Sequence, residues 1–248
     1  MAMNKPNDLE WTALALNDWG LYQRKGGLRF SIDAVLLAHF VGEAKEILDL
    51  CTGTGIVAFI LAARFERATI TGLDIQPQLI KNAILSQARN GIDEERLHFA
   101  LHDLRQKDPI YQRRYNLITV NPPFFKVGHG AANPDRETDL ARHEHTANLD
   151  DVFRFAAYAL KERGRIAMIH RAARLDEVIT TALKYKCKPV RIQSVYARAG
   201  EPAKLVLVEC CYLGAQDLVV EEPLYIYDDM GYYRPTIQSW YEGGSHGK

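Results

Sequence analysis

Short apolar runs recur along this chain of 248 residues, at 46–50, 69–74, 97–101, 117–121, 165–170, 190–197 and 204–213. Each has the length of a strand, and stretches with helical spacing, including 76–90, 150–163 and 174–186, separate the earlier runs. Such alternation predicts a parallel sheet, because each crossover between parallel strands is supplied by a helix packed on one face or the other. The last two runs are joined only by residues 198–203. That link is too short for a helical crossover, so the final strand should run antiparallel. The expected fold is α/β: a seven-stranded, mostly parallel sheet with an antiparallel last strand and helices on both faces. Before the first strand, Gly26 and Gly27 read as a flexible turn entering a helix capped by Asp33. The alternative is a lid, with Phe30 or Asp33 lining a ligand. The expected organisation is an N-terminal extension and lid over 1–45, a catalytic domain over 46–215 and a tail over 216–248 packed on or near it.

With 47% hydrophobic residues the chain can bury one sizeable core. No apolar stretch reaches membrane-spanning length and residues 1–11 are polar and acidic, so a soluble, cytoplasmic protein is expected. Lys plus Arg equals Asp plus Glu at 31 each, so net charge does not advertise a nucleic-acid binder. Basic stretches at Arg24 and Lys25, at 105–114, at Lys126 and at 184–191 either converge into a phosphate-binding rim or simply solvate the surface. Cys51, Cys187, Cys210 and Cys211 lack metal-ligand spacing and read as reduced thiols. The cluster His143-Glu144-His145 lacks the spacing of a metal-binding helix, and no metal is expected. No Gly-x-Ser-x-Gly elbow announces a serine nucleophile. The tail carries Tyr225, Tyr227, Tyr232, Tyr233 and Arg234, which are expected to bury against the sheet, with base stacking as the alternative.

The first chemistry-bearing pattern is a strand, a glycine turn and a helix: Ile47-Leu48-Asp49-Leu50, then Cys51-Thr52-Gly53-Thr54-Gly55, then a helical run from Ile56. Glycines there permit close backbone approach to a ligand. Asp74 ends the next strand, where an acid binds ribose hydroxyls in dinucleotide-type folds. The phosphate fingerprint Gly-x-Gly-x-x-Gly is absent, and Asp49 directly before the loop would repel a pyrophosphate while attracting an ammonium. S-adenosylmethionine carries an ammonium and a ribose but no phosphate, which favours it over a dinucleotide.

The second pattern is Asn121-Pro122-Pro123-Phe124, closing the apolar run from Leu117. The prolines fix φ, hold each preceding residue extended and remove two N–H donors, so the turn presents mainly acceptors. An amide oxygen and a carbonyl can accept both hydrogens of an exocyclic NH2 and favour a pyramidal nitrogen with an available lone pair. Phe124 supplies a face on which a ring stacks. Taken alone, the tetrapeptide is also what a strand-ending turn with a packed Phe looks like, and its weight comes from following the cofactor loop.

Across residues 47–124 the chain resembles the class I S-adenosylmethionine-dependent methyltransferases of the branch whose Asn/Asp-Pro-Pro-aromatic motif methylates amino nitrogens. Asp49, Gly53 and Gly55 match the first motif, with Cys51 in place of its first glycine; Asp74 matches the ribose-binding acid and Asp103 the adenine-side acid. The resemblance implies a Rossmann-like fold. It implies cofactor contacts from Asp49, Cys51, Thr52, Gly53, Gly55, Asp74, Ile75, Asp103, Leu104 and Asn121, with Phe30 and Asp33 from the lid. Asn121, Pro122, Pro123 and Phe124 are the implied catalytic residues, and no catalytic thiol is expected at Cys51. Release-factor glutamine methyltransferases carry a large helical domain before the sheet and usually end the motif in Tyr, whereas here only residues 1–45 precede the sheet and the motif ends in Phe124. The segment from Arg24 to Asp33 and that from Glu201 to Glu209 resemble the bacterial tRNA1(Val) (adenine-37 N6)-methyltransferases. That implies a tRNA partner recognised at its anticodon stem-loop, with Arg24, Lys25 and Lys126 as candidate RNA contacts. An unpaired loop base costs little to splay into a pocket, and its N6 would align with the donor methyl at about 3 to 3.5 Å for in-line transfer. Two alternatives stand beside this: a glutamine N5-methyltransferase of release factors, and an inactive methyltransferase-like RNA-binding module. Oligomeric state is not legible.

Overall fold

The computed structural model describes residues 9–14, 17–25, 32–122 and 147–242. Seven strands build the central sheet: β3 (Glu46–Leu50), β4 (Thr69–Asp74), β5 (Leu97–Leu101), β6 (Tyr115–Val120), β7 (Leu160–Arg171), β8 (Cys187–Tyr196) and β9 (Leu205–Tyr212). Their spatial order is β8-β9-β7-β6-β3-β4-β5. Only β9 runs against its neighbours, pairing antiparallel with both β7 and β8. All seven strands lie where the apolar runs predict them, and the reversal falls at the short 198–203 link.

Among the described residues the sheet nevertheless has nine strands, not seven. The tail adds β10 (Val219–Val220) and β11 (Leu224–Tyr225), both parallel to β8, so the open edge of the sheet is covered by two short pieces of backbone. Two residues are too few to show a period, which is why no pattern announced them. A second correction concerns residues 150–163. The helix α4 (Leu149–Ala159) stops at Ala159, and Leu160 already pairs with Tyr115. The chain then bulges through Arg163, at φ 61, before Arg165 rejoins β6 opposite Leu117. The polar run Lys161-Glu162-Arg163 reads as a helix surface in sequence but forms the bulge.

Helices cover both faces. Along β7, Ala167 and Ile169 join the core beneath α1 (Ile32–Phe40) and α2 (Ile56–Arg64), while Ile166 and Met168 join the core beneath α4 and α5 (Leu175–Lys184). This alternation is what a strand buried on both sides requires. Arg64 donates from Nη1 to the carbonyls of Ala38 and Val41, fastening α2 to the end of α1. Asp33 lies inside the first turn of α1, one residue after its start, and is not its cap.

The N-terminal extension holds a hairpin the sequence pattern did not announce, β1 (Leu9–Ala13) with β2 (Gly20–Arg24). It docks on α3 (Pro77–Arg89): Asn90 exchanges hydrogen bonds with the backbone of Gly20, and the Tyr22 N–H donates to Ser86 Oγ. The Arg89 guanidinium lies 4.0 Å from the Trp11 ring centre. Since α3 descends from the carboxyl end of β4, β2 climbs it in reverse and delivers Lys25 toward that end of the sheet.

The basic stretches part company. Arg113 and Arg114 precede β6, and Lys184, Lys186 and Lys188 flank the start of β8, both at the amino end of the sheet. Arg191 pairs with Glu209 at 3.1 Å and Glu221 at 2.8 Å. A single rim built from all four stretches is therefore not formed. The tail aromatics divide: Tyr227 is half-buried and packs against the core beside Ile226 and Ile237, and Tyr225 lies 5.3 Å from Tyr196 of β8 between ring centres, while Tyr232 and Tyr233 are exposed.

Candidate functional site

The sheet order places the switch in winding direction between β3 and β6: β4 and β5 extend to one side of β3, β6 and β7 to the other. Ligands in open α/β sheets bind in the crevice at such a point, outside the carboxyl ends of the strands. Asp49 stands there, 1% exposed, opposite Thr119 of β6 in register. Its Oδ1 accepts from Thr119 Oγ1 at 2.7 Å and its Oδ2 from Thr52 Oγ1 at 2.5 Å. Both donors are neutral. Burial therefore dominates and pushes the carboxyl up to about 7 from an ordinary 3.8, with the nearby Asp74 charge adding a little. A buried acid set between hydroxyls, without a cation among the groups acting on it, is poised for a ligand that brings positive charge.

The loop after β3 turns through three positive φ angles, 55° at Cys51, 59° at Gly53 and 90° at Gly55. At Gly53 a Cβ would meet nothing within 4 Å, so the loop leaves open space beside its backbone. At Gly55 a Cβ would lie 2.7 Å from the Phe99 ring, so that position needs glycine on two counts. Cys51 holds a conformation that normally falls to glycine. Its thiol is pushed well up by burial and by the charges of Asp74 and Asp49, which leaves it a poor nucleophile. Cys51→Gly should keep activity and change unfolding free energy by less than about 1 kcal/mol, because relief of the left-handed strain and the greater unfolded-state freedom of glycine oppose each other. Chemical denaturation beside an activity assay checks this.

Asp74 closes the far side. Its Oδ2 accepts from Gly53 N and its Oδ1 from Gln76 N, each at 2.9 Å, so it pins the loop to β4 while burial raises its pKa. Thr52 N donates to Leu73 O at 3.0 Å. Beneath them lies Gly72, where a Cβ would approach Phe99 Cδ1 to 2.6 Å and Thr52 Oγ1 to 2.8 Å. Gly72→Ala should cost about 1 to 3 kcal/mol and displace Thr52 from Asp49, weakening cofactor binding as well. Thermal melts and calorimetric titration with S-adenosylhomocysteine read the two effects separately.

Ile75 is half-buried next to Asp74, and Leu104 is buried. Asp103 lies two residues past β5; the Arg105 guanidinium grips it through three hydrogen bonds of 2.7 to 3.1 Å, the Arg105 N–H adds a fourth at 3.0 Å, and together they hold its pKa down. Asn121, half-buried, is the first residue past β6, one step beyond the Leu50–Val120 pair, and so stands beside the start of the glycine loop; Pro122 is buried behind it. Asp33 is partly buried with its pKa raised by desolvation, and its charge is felt by Tyr241 of the C-terminal helix α6 (Pro235–Glu242). Lys25 is exposed just after β2. Pro123, Phe124, Lys126 and Phe30 lie outside the described residues, as does the His143-Glu144-His145 cluster, and of Arg24 only the backbone is described.

The sheet thus brings Asp49, Cys51, Thr52, Gly53, Gly55, Asp74 and Asn121 into one crevice and sets Ile75, Asp103 and Leu104 along its side. Sequence reasoning missed Thr119 and Phe99. The signal for Thr119 was available: a lone hydroxyl in the apolar run Leu117-Ile118-Thr119-Val120, with a matching polar residue, Asp49, in the neighbouring run.

Residues 42–215 match a family model described as a methyltransferase domain. A tRNA1(Val) (adenine(37)-N6)-methyltransferase of Porphyromonas gingivalis is 32% identical over 221 residues, 84% of this chain and 85% of the relative. One of that name from Actinobacillus pleuropneumoniae is 31% identical, covering 86% of this chain and 89% of the relative. Among solved structures, a predicted O-methyltransferase from Agrobacterium tumefaciens superposes with a TM-score of 0.70 at 21% identity, over 86% of this chain and 97% of the other. A geranyl diphosphate C-methyltransferase from Streptomyces coelicolor, solved with S-adenosyl-L-homocysteine, reaches 0.54 at 12% identity over 72% and 76% of the two chains. At these identities the two structures speak for the fold. With a family model over most of the sheet and relatives above 30% identity along most of the length, the chain belongs to the methyltransferase family, in the group of the tRNA1(Val) (adenine(37)-N6)-methyltransferases.

Proposed function

We propose that this chain transfers the methyl group of S-adenosylmethionine to N6 of adenine 37 in the anticodon loop of tRNA1(Val), the reaction for which its relatives are named. The observation that carries the reading is the in-register pairing of Asp49 with Thr119, which sets an uncompensated buried acid and Asn121 on either side of one crevice. S-adenosylmethionine, when bound, supplies an electrophilic sulfonium methyl. Asp49, its oxygens oriented by Thr52 and Thr119, holds the ammonium of the methionine moiety. Asp74 takes ribose hydroxyls with the lone pairs left over from the Gly53 and Gln76 N–H groups, and Asp103 takes the adenine amine. The Asn121 side-chain oxygen and the Pro122 carbonyl accept the two hydrogens of the target amine and turn its lone pair toward the loop. These acceptors hold the hydrogens until the nitrogen has become cationic, after which one proton leaves to water and no strong base is needed. Phe124 stacks the target ring. Residues 46–215 are the catalytic unit of this reading, and a tRNA substrate puts the work in the cytoplasm.

Incubation with methyl-tritiated S-adenosylmethionine, unmodified total tRNA and, in parallel, a release-factor protein tests the assignment. Labelled N6-methyladenosine in digested tRNA is the expected result. Label in the release factor alone would transfer the assignment to glutamine methylation.

A further inference from the structure

The tail does not end where the sheet edge is covered. Because β8 runs parallel to β6 and β3 through the intervening β9 and β7, its carboxyl end lies at the same end of the sheet as Asn121. Beyond β11 the chain climbs past that end, with Ile226 N bonded to Tyr196 O and Tyr227 N to Ala197 O, each at 2.9 Å. It then folds into a tight hairpin closed by the Tyr227–Tyr233 bridge. Asp228 fixes the tip: its Oδ1 accepts from Met230 N and Tyr232 N at 2.9 Å, and Gly231, at φ 89, makes the turn.

Two tyrosines of the hairpin and Tyr241 of α6 stack face to face, with Tyr227 to Tyr233 at 5.2 Å and Tyr233 to Tyr241 at 5.3 Å between ring centres. Below them, Ile237 is fully buried and Trp240 lies flat on His39 at 4.5 Å, so α6 is anchored to α1. The base is thus rigid while the tip is bare: Met230 is 80% exposed and Tyr232 67%. A turn fixed by side-chain and backbone hydrogen bonds that holds an aromatic ring in solvent has no account in the packing of this fold. Exposed cations stand around it, Arg198 at 5.9 Å from the Tyr227 ring centre and Arg234 at 5.4 Å from that of Tyr225. Arg171 at the end of β7 and Lys204 before β9 are also exposed and continue the basic row toward Asn121. Glu201, 3.8 Å from Arg198 and 3.9 Å from Lys204, together with Asp228 and Asp229, offsets much of that charge. A polyanion held by charge alone would be poorly served here, whereas a strand with bases to stack is well served.

We propose that the 227–233 hairpin is a base-stacking platform for unpaired nucleotides flanking the target adenine, with Tyr232 as the stacking ring and Arg198 as the phosphate contact. The proposal rests on the RNA-methylating reading above. Three strand spacings separate β8 from β6, about 14 Å at ~4.8 Å each, so a loop whose target base enters the crevice beside Asn121 can lay a neighbouring base on the hairpin. Stacking a base on an aromatic side chain is worth about 1 to 3 kcal/mol by alanine substitution.

The test uses the full chain and a fluorescently labelled, unmodified tRNA1(Val) transcript. Tyr232→Ala should weaken binding by about tenfold and raise KM for tRNA, with kcat and S-adenosylhomocysteine affinity unchanged, while Tyr232→Phe should bind as the wild type does. Met230→Ala is the second variant, should Tyr232→Ala lower the melting temperature. Wild-type affinity in both alanine variants overturns the proposal, and so does an equal loss in Tyr232→Phe, which would assign the effect to the hydroxyl and not to the ring. If the wild type methylates tRNA and the alanine variants bind unchanged, this inference fails alone; if the wild type binds no tRNA, the functional reading fails with it.

Discussion

Replacing Asn121 with alanine is expected to lower kcat by about 100- to 1,000-fold while S-adenosylmethionine affinity stays within about twofold of the wild type. The size follows from removing one preorganised polar contact aimed at the reacting group, in a crevice where water cannot replace it in the same orientation. The asymmetry follows from position. Asn121 is the first residue past β6, whereas the groups assigned to the methionine and ribose moieties, Asp49 and Asp74, sit on β3 and β4. Asn121→Asp retains an acceptor oxygen and should recover part of the rate. Single-turnover rates beside calorimetric cofactor titrations separate the two quantities. Loss of affinity equal to the loss of rate would make Asn121 a cofactor ligand and not a holder of the target amine.

Asp49→Asn is expected to do two opposite things, abolishing measurable cofactor binding and stabilising the protein without ligand. The carboxyl is raised in the fold to about 7 from 3.8, so the folded chain holds this proton more tightly than the unfolded one. Stability therefore falls as pH rises from 3.8 to 7, and the full penalty is present above 7. At about 1.4 kcal/mol per unit over roughly three units, the asparagine variant should gain at most about 4 kcal/mol at pH 8 and nothing at pH 4. Melting curves of both proteins at pH 5 and pH 8 check the sign, since the gain must be larger at pH 8. For the wild type, an ammonium is held only by the ionised acid, so cofactor affinity should drop about tenfold per pH unit below 7. A buried acid kept at a cost to stability is what a site built for a cationic ligand requires.

The seven longer strands of the sheet, β3 to β9, were legible because each contains an apolar run bounded by turn residues, and the reversal of β9 was legible because a six-residue link admits no helix. The bulge at 161–164 was not, since Lys161-Glu162-Arg163 has the polarity of a helix surface and only the pairing of Leu160 with Tyr115 ends α4 early. The β1–β2 hairpin escaped because its stability comes from docking on α3 through Asn90 and Ser86, not from a repeating pattern of its own. In the crevice, the glycine loop, Asp49, Asp74 and Asn121 were readable by type and order. Thr119 and Phe99 were not, because their roles depend on register across neighbouring strands: Asp49 opposite Thr119, and Gly72 opposite Phe99. Cys51 stands where glycine is expected and takes up the glycine conformation, so at that position the backbone geometry is kept although the residue is changed.

The most direct test of the central claim compares two unmodified tRNA1(Val) transcripts, one with adenosine at position 37 and one with guanosine there, each incubated with the wild-type chain and S-adenosylmethionine and analysed by mass spectrometry of nuclease fragments. The account predicts one methyl group per molecule, at N6 of adenine 37, and none on the guanosine transcript. Equal methylation of both transcripts would contradict it.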